Sequence, residues 1–316
     1  MDRRNFLSLG LMAPLALRVS QNVFAATEYK KEDTALSANY AKDASNPLTT
    51  LWQFPTQHVR QMMGYVLQTA TGQTIVIDGG ATGEAPYLVD FLKQECNGKV
   101  DAWFLTHAHI DHCGALAEIC KKYPDALEIK DLYYNFPEQG WLDEHESGSK
   151  KATAFIFEGL AQFKGSYRKP EVNEVFQYGP LSIKCLNDLD SSLTMNAINN
   201  SSVTLRMDVG GSSLLFLGDL GYEGGDRLMD MQGENLCVDV CQMAHHGQQG
   251  VRRKFYELVK PKVTLWPTPD WLWRNDQGNR GDGSGPWKTC DTRIWSRELG
   301  VQKYYVAKDG LIKLTF

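Results

Sequence analysis

One nine-residue stretch constrains this 316-residue chain more than any other: Thr106-His107-Ala108-His109-Ile110-Asp111-His112-Cys113-Gly114. Three imidazoles and a carboxylate fall within six positions. Imidazole and carboxylate are the usual protein ligands of zinc, and so dense a cluster is poorly explained by core packing. The run before it, Val100 to Leu105, is apolar and bounded like a buried strand. The run after it, Ala115 to Lys122, has helical spacing and a basic last turn. The cluster is thus expected on a strand-to-helix loop, where α/β proteins place their chemistry. The bland reading is a solvated, histidine-rich turn.

The spacing suggests two ions. His107 and His109 are two apart, so in extended chain they point the same way and can grip one ion. Asp111 and His112 come where the chain turns into the helix. They suit a second ion beside the first, and paired ions in hydrolytic sites stand about 3.5–4 Å apart.

Further marks follow in order. A strand ending in Asp is expected at Thr74-Ile75-Val76-Ile77-Asp78-Gly79-Gly80. A second apolar run leads to Asp219 at Leu214-Leu215-Phe216-Leu217-Gly218-Asp219. A third, from Val238, ends in Met243-Ala244-His245-His246-Gly247. With His-x-His-x-Asp-His, these marks resemble the metallo-β-lactamase fold superfamily. The resemblance implies an α/β (α+β) fold, a four-layer αβ/βα sandwich of two pseudo-equivalent halves. It implies His107 and His109 on the first metal, Asp111 and His112 on the second, and Asp219 bridging. One of the His245-His246 pair completes the second site. His246 is preferred, because it precedes Gly247, which leaves His245 facing substrate. Asp78 is expected behind the ligands, orienting one of them.

The family's further histidine on the first metal is missing. The seven histidines are His58, His107, His109, His112, His145, His245 and His246, and none lies between His145 and Asp219. That interval instead holds Asn199-Asn200-Ser201-Ser202. It is similar to a branch containing the hydrolase domain of DNA-uptake competence proteins and choline-phosphate esterases. Asn199 or Asn200 could reach the first metal or its water, or could simply form a turn. Fewer protein ligands leave a more open ion, with room for a phosphate oxygen. His145, in the polar stretch Asn135 to Lys150, looks solvated, and His58 looks structural or peripheral.

The resemblance implies two divalent ions, zinc first, with Mn2+ or Fe2+ as alternatives. It implies a hydrolase that attacks with a metal-bound hydroxide, and its nearest branch points to a phosphodiester or phosphate-containing small molecule. Asp111 and His245 are the catalytic candidates, His245 as a proton or hydrogen-bond donor to the developing oxyanion. A lactone, amide or β-lactam hydrolase of the same fold stands as the alternative, as does a metal-binding protein without turnover.

Composition and the two ends add bounds. The chain carries a net charge of −5, and removing residues 1–25 would leave about −7. With no basic stripe, nucleic acid is disfavoured as a partner and a small molecule favoured. Arg252-Arg253-Lys254 is a local basic triplet that could steer one phosphate or be a solvated helix face. Residues 1–25 look like a twin-arginine signal: Arg3-Arg4, an apolar run from Leu7 to Leu17, then Val23-Phe24-Ala25. Export, to a periplasm in a bacterium, is the expectation. The apolar run is short for a bilayer, so no transmembrane partner is evident. A polar arm at 26–46 and a single hydrolase domain at 47–316 are expected to follow. The seven cysteines are read as buried thiols. Trp271, Trp273 and Trp287, in a Pro- and Gly-rich loop, either wall a substrate pocket or pin the loop to the body. Oligomeric state has no sequence signal.

Overall fold

A computed structural model describes residues 48–316. The expected signal at 1–25 and arm at 26–46 lie outside the described residues.

Two seven-stranded mixed sheets carry the fold. The strands are β1 (Thr50–Gln53), β2 (Gly64–Gln68), β3 (Thr74–Asp78), β4 (Lys99–Phe104), β5 (Glu128–Tyr133), β6 (Ser166–Arg168), β7 (Val175–Tyr178), β8 (Leu181–Cys185), β9 (Leu205–Val209), β10 (Ser212–Phe216), β11 (Val240–Gln242), β12 (Val263–Trp266), β13 (Lys303–Val306) and β14 (Ile312–Thr315). One sheet runs β14-β1-β2-β3-β4-β5-β6 and the other β13-β12-β11-β10-β9-β8-β7. In each, three consecutive parallel pairings adjoin three antiparallel ones. β14, last in the chain, closes against β1, so both halves contribute to the first sheet.

Alternation along the strands builds the layers. Tyr65, Leu67, Ile75 and Ile77 point inward to meet Leu205, Met207, Leu214 and Phe216 of the other sheet. Tyr65 and Phe216 meet edge to face with centroids 5.0 Å apart, an arrangement aromatic pairs favour. The outward residues Val66, Val76 and Trp103 receive α1 (Ala85–Cys96), α2 (Ile110–Lys122) and, beyond α3 (Gln139–His145), α4 (Lys150–Leu160). On the far side of the second sheet, Leu215, Cys241 and Trp266 pack beneath α6 (Tyr222–Gln232), α7 (Arg253–Val259) and α9 (Thr289–Glu298). Between these lie the short α5 (Ala197–Asn200) and α8 (Asp270–Trp273). Three apolar cores separate four layers, the αβ/βα sandwich.

Some elements differ from the sequence expectation. α2 begins at Ile110 rather than Ala115, because His109 is extended and takes the N-cap position. Asp111 therefore sits in the first helical turn, where a carboxylate is favoured. The stretch expected as polar loop around His145 folds into α3, because Trp141 and Leu142 find the core of the first layer. All seven cysteines are free thiols, five of them buried.

Candidate metal centre

Five strands end at one place. β3 ends in Asp78, β4 feeds the His107 loop, β10 leads to Asp219, β11 to His245-His246, and β12 to Pro267. The backbone joins these ends: Val203 N donates to Thr106 O, and His245 N to Gly218 O. Gly218, at φ +56°, is needed there, since a Cβ would stand 2.8 Å from the Thr106 Cβ. Three site residues hold left-handed backbone. Asp78, His245 and His246 hold φ of 55°, 52° and 54°, a region L-residues adopt at a cost and that the surrounding hydrogen bonds must hold. Gly247, at φ +79°, lies so close to Trp266 that a Cβ would be 2.3 Å from its ring.

The side chains converge. His107 Nε2 lies 3.1 Å from His109 Nδ1 and 3.8 Å from Asp219 Oδ2. His112 Nε2 is 3.2 Å from Asp219 Oδ1 and 3.2 Å from His246 Nε2. His246 Nε2 stands 3.3 Å from Asp111 Oδ2 and 3.4 Å from Asp219 Oδ2. Two donors each bound about 2.1 Å from a tetrahedral ion would be separated by about 3.4 Å, so these spacings suit shared cations. Two groups of three, His107-His112-Asp219 and Asp111-His112-His246, could each hold an ion. Asp219 belongs between them, as one oxygen faces His112 and the other faces His107 and His246. Its Oδ1 is buried and makes no hydrogen bond.

Proton placement strengthens the case. His246 Nδ1 donates to the Pro267 carbonyl at 2.9 Å, and a carbonyl can only accept. His245 Nδ1 likewise donates to Gln249 O at 3.1 Å. His112 Nδ1 donates to Asp78 Oδ2 at 2.7 Å. Thr106 gives its hydroxyl proton to Asp78 at 2.8 Å, so it accepts from His107 Nδ1 at 3.0 Å. Four imidazoles thus have Nδ1 committed as donor, and each turns Nε2 toward carboxylates. Something positive must sit on that side. In a metal-free centre it is protons. Burial opposes charge on His112, but Asp219 and Asp78 hold its pKa well above the ordinary value. Burial also opposes charge on His246, yet Asp219 and Asp111 keep its pKa up at about 9. His107 shifts well down through burial and the neighbouring His112, and burial also lowers His109. Asp219 lies well below the carboxylate range, since His112 and His246 outweigh its burial. Divalent cations satisfy the same demand by displacing the protons.

The other candidates divide. Asp78 takes the expected place behind His112, also accepting from Thr106 N at 2.8 Å. Asn199 is buried at the centre's edge: its Nδ2 donates to Asn196 Oδ1 at 3.0 Å and lies 3.5 Å from His245 Nε2, and its Oδ1 has no partner. Asn200 is turned away. Its Oδ1 accepts from Gly221 N and Gly224 N at 3.1 Å each, which anchors the start of α6. A metal contact from Asn200 is therefore excluded by prior engagement. His245 Nε2 lies 3.8 Å from Asp219 Oδ2 and is partly exposed. His145 packs against Trp141 instead, with centroids 4.5 Å apart. His58 is exposed beside Gly83.

The tryptophans also split. Trp273 packs edge to face on Trp266 beneath the Arg293 guanidinium, in the outer core layer, and walls no pocket at the metals. Trp271 and Trp287 pair with centroids 4.9 Å apart, and Trp271 Nε1 donates to Val59 O at 2.7 Å. Arg252, Arg253 and Lys254 are consumed by ion pairs with Asp226, Glu257 and Glu298. Sequence reasoning missed Gln61. Its Nε2 donates to Asp111 Oδ2 at 3.1 Å, and its Oε1 accepts from Gln248 Nε2 at 3.1 Å. No local pattern marks a glutamine 50 residues from the aspartate it holds.

Comparison with known proteins agrees with this geometry. Residues 63–265 match the family model described as the metallo-beta-lactamase superfamily. The ComE operon protein 3 of Bacillus subtilis (strain 168) is 30% identical over 179 residues, 56% of this chain. The match spans only 21% of that longer protein. The metallo-beta-lactamase fold protein YhfI of Bacillus subtilis superposes with a TM-score of 0.50 at 12% identity, covering 84% of this chain and 99% of that one. CmlA of Streptomyces venezuelae, a diiron beta-hydroxylase, superposes with a TM-score of 0.52 at 12% identity, covering 87% and 55%. These two likenesses speak to the fold alone. On the motif order, the layered sheets and the family match together, this chain belongs to the metallo-beta-lactamase superfamily.

Proposed function

We propose that this chain is a hydrolase holding two divalent ions, zinc by preference, that cleaves a phosphodiester or another small phosphate ester. The observation that carries the reading is the convergence of four Nε2 atoms, the His109 Nδ1 and two carboxylates, with the Nδ1 of His107, His112, His245 and His246 committed elsewhere. In this reading His107 and His109 hold the first ion, Asp111, His112 and His246 the second, and Asp219 lies between. Ions so placed would supply a Lewis acid for a phosphoryl or carbonyl oxygen and would lower the pKa of water to about 7.

The chain's own groups do the rest. Asp78 keeps the His112 ring oriented and its Nδ1 protonated, and Thr106 does the same for His107. His245 differs from its neighbour in being open to solvent. With Nδ1 held by Gln249 O, its Nε2 can accept a proton and return it to the leaving oxygen. Asp111, fixed by Gln61 beside His246, would hold an ion and orient the attacking water. The absent third histidine leaves the His107-His109 side open, which favours a phosphate with several oxygens over a flat amide. Export through the twin-arginine-like leader, with the metals loaded before transport, completes the reading.

Metal analysis of the purified chain, with chromogenic phosphodiester, lactone and β-lactam substrates, tests it. Two equivalents of metal and turnover of bis(p-nitrophenyl) phosphate are expected, and Asp219→Ala should abolish both. Zinc with lactone turnover alone overturns the substrate class. A chain that takes up no metal from zinc-supplemented buffer overturns the hydrolase.

A further inference from the structure

The loop between β1 and β2, residues 54–63, is tied down along its length. Glu84 accepts from Gln57 N at 3.0 Å and from Thr56 Oγ1 at 3.1 Å. Val59 O accepts from Trp271. Gln61 donates to Asp111, and Met63 N donates to Asp111 O at 3.0 Å. Arg60 therefore stands between two fixed points: the Trp271-Trp287 pair on one side, and the carboxylate beside His246 on the other. It is exposed and has no ion pair or hydrogen bond among the described residues. Its neighbour Val59 is 86% exposed, large and apolar. The basic triplet on α7, by contrast, is neutralised by acidic partners.

From this placement we propose that Arg60 is the anion-recognising residue of the centre. It binds the phosphate of the substrate as it reaches the metals, while Val59, Trp271 and Trp287 offer a platform for an apolar or flat substituent on that phosphate. This rests on the phosphate-ester reading above and sharpens it. A guanidinium presents a planar fork that matches phosphate oxygens in pairs. A free cation at the rim also repels a second one, so a substituent bearing a quaternary ammonium group is disfavoured next to Trp271. The loop's ties fix the backbone that carries Arg60, so only its side chain has to be ordered at binding.

The test uses the zinc-loaded full chain and inorganic phosphate as the probe, with binding followed by calorimetry. Arg60→Ala should raise the phosphate Kd about tenfold, the loss expected for charge-assisted hydrogen bonds, with zinc stoichiometry unchanged. Arg60→Lys should recover part of the affinity. The ion-paired control Arg252→Ala should leave it unaltered. With bis(p-nitrophenyl) phosphate the loss should appear in KM, and turnover of an uncharged ester should be unaffected. A phosphate Kd in Arg60→Ala within twofold of the parent overturns the proposal, as does a parent chain that binds no phosphate. Phosphate binding through Arg60 without hydrolysis of any phosphodiester overturns the hydrolytic reading alone and leaves the anion site standing.

Discussion

At the scale of single residues, the centre depends on partners that hold ligands as much as on the ligands. Gln61 donates to the same Asp111 oxygen that faces His246. Losing such a support costs about 10–100-fold in metal affinity. Gln61→Ala should therefore weaken zinc at the Asp111-His112-His246 group by that factor and leave the fold intact, as read by competition with a chromogenic chelator. Unchanged affinity would reduce Gln61 to a packing residue. His145→Ala, at a side chain packed on Trp141, should leave both zinc equivalents in place. Glu84 offers a pH test of the same loop. Burial raises its pKa above 4.5, against the opposing hydrogen bonds from Gln57 and Thr56. A raised acid binds its proton more tightly when folded, so stability from this group is present at low pH and lost as pH rises from 4.5 through the folded value. Glu84→Gln should remove that slope. Denaturant midpoints of parent and variant should then diverge across this window and run parallel above it. Parallel curves throughout would contradict the assignment.

At the scale of elements, the strand ends and the first turns that follow them carry the chemistry. α2 lifts Asp111 and His112 in its opening turn, while the extended His109 just before it stays with His107. The His245-His246-Gly247 turn is held left-handed throughout, and Gly247 lies against the Trp266 ring. Gly247→Ala should cost more than about 2 kcal/mol, since strain and a clash with a buried indole act together. It should also loosen zinc, because His246 rides on the same turn. Urea denaturation and metal analysis check both, and a stable, fully loaded variant would show that the turn can relax. Much of this element scale was legible in the chain. Apolar runs ending in Asp78, Asp219 and His245-His246 mark strand ends, because a buried strand is a short apolar run and a polar break must follow. The helical identity of α3 and α8 was not legible, because short helices there are stabilised by tertiary burial of Leu142 and Leu272 rather than by a periodic face.

At the scale of the whole molecule, the centre is a seam. His107, His109, Asp111 and His112 follow β4 of the first sheet, whereas Asp219, His245 and His246 follow β10 and β11 of the second. Ions held by both would join the two halves, so metal should stabilise the folded chain by mass action, about 4 kcal/mol at a thousandfold excess over Kd. Calorimetry should show a higher Tm with zinc and a lower one with chelator. An equal Tm in both would mean that the centre binds no ion under those conditions.

The chain by itself determined the ligand types and their order, because metal coordination demands histidine and carboxylate and because local spacing decides which of them point together. The apolar runs gave the coarse order of strands and helices, whereas the layered architecture came from the family resemblance that the motifs carry. The tertiary structure alone decided which distant side chains stand behind those ligands. It turned Asn200 and Trp273 away, set Asn199 and His245 at the edge, and brought Gln61 to Asp111. Those choices rest on hydrogen bonds between segments up to about 200 residues apart, and no local pattern encodes which donor a folded chain will deliver to a given acceptor.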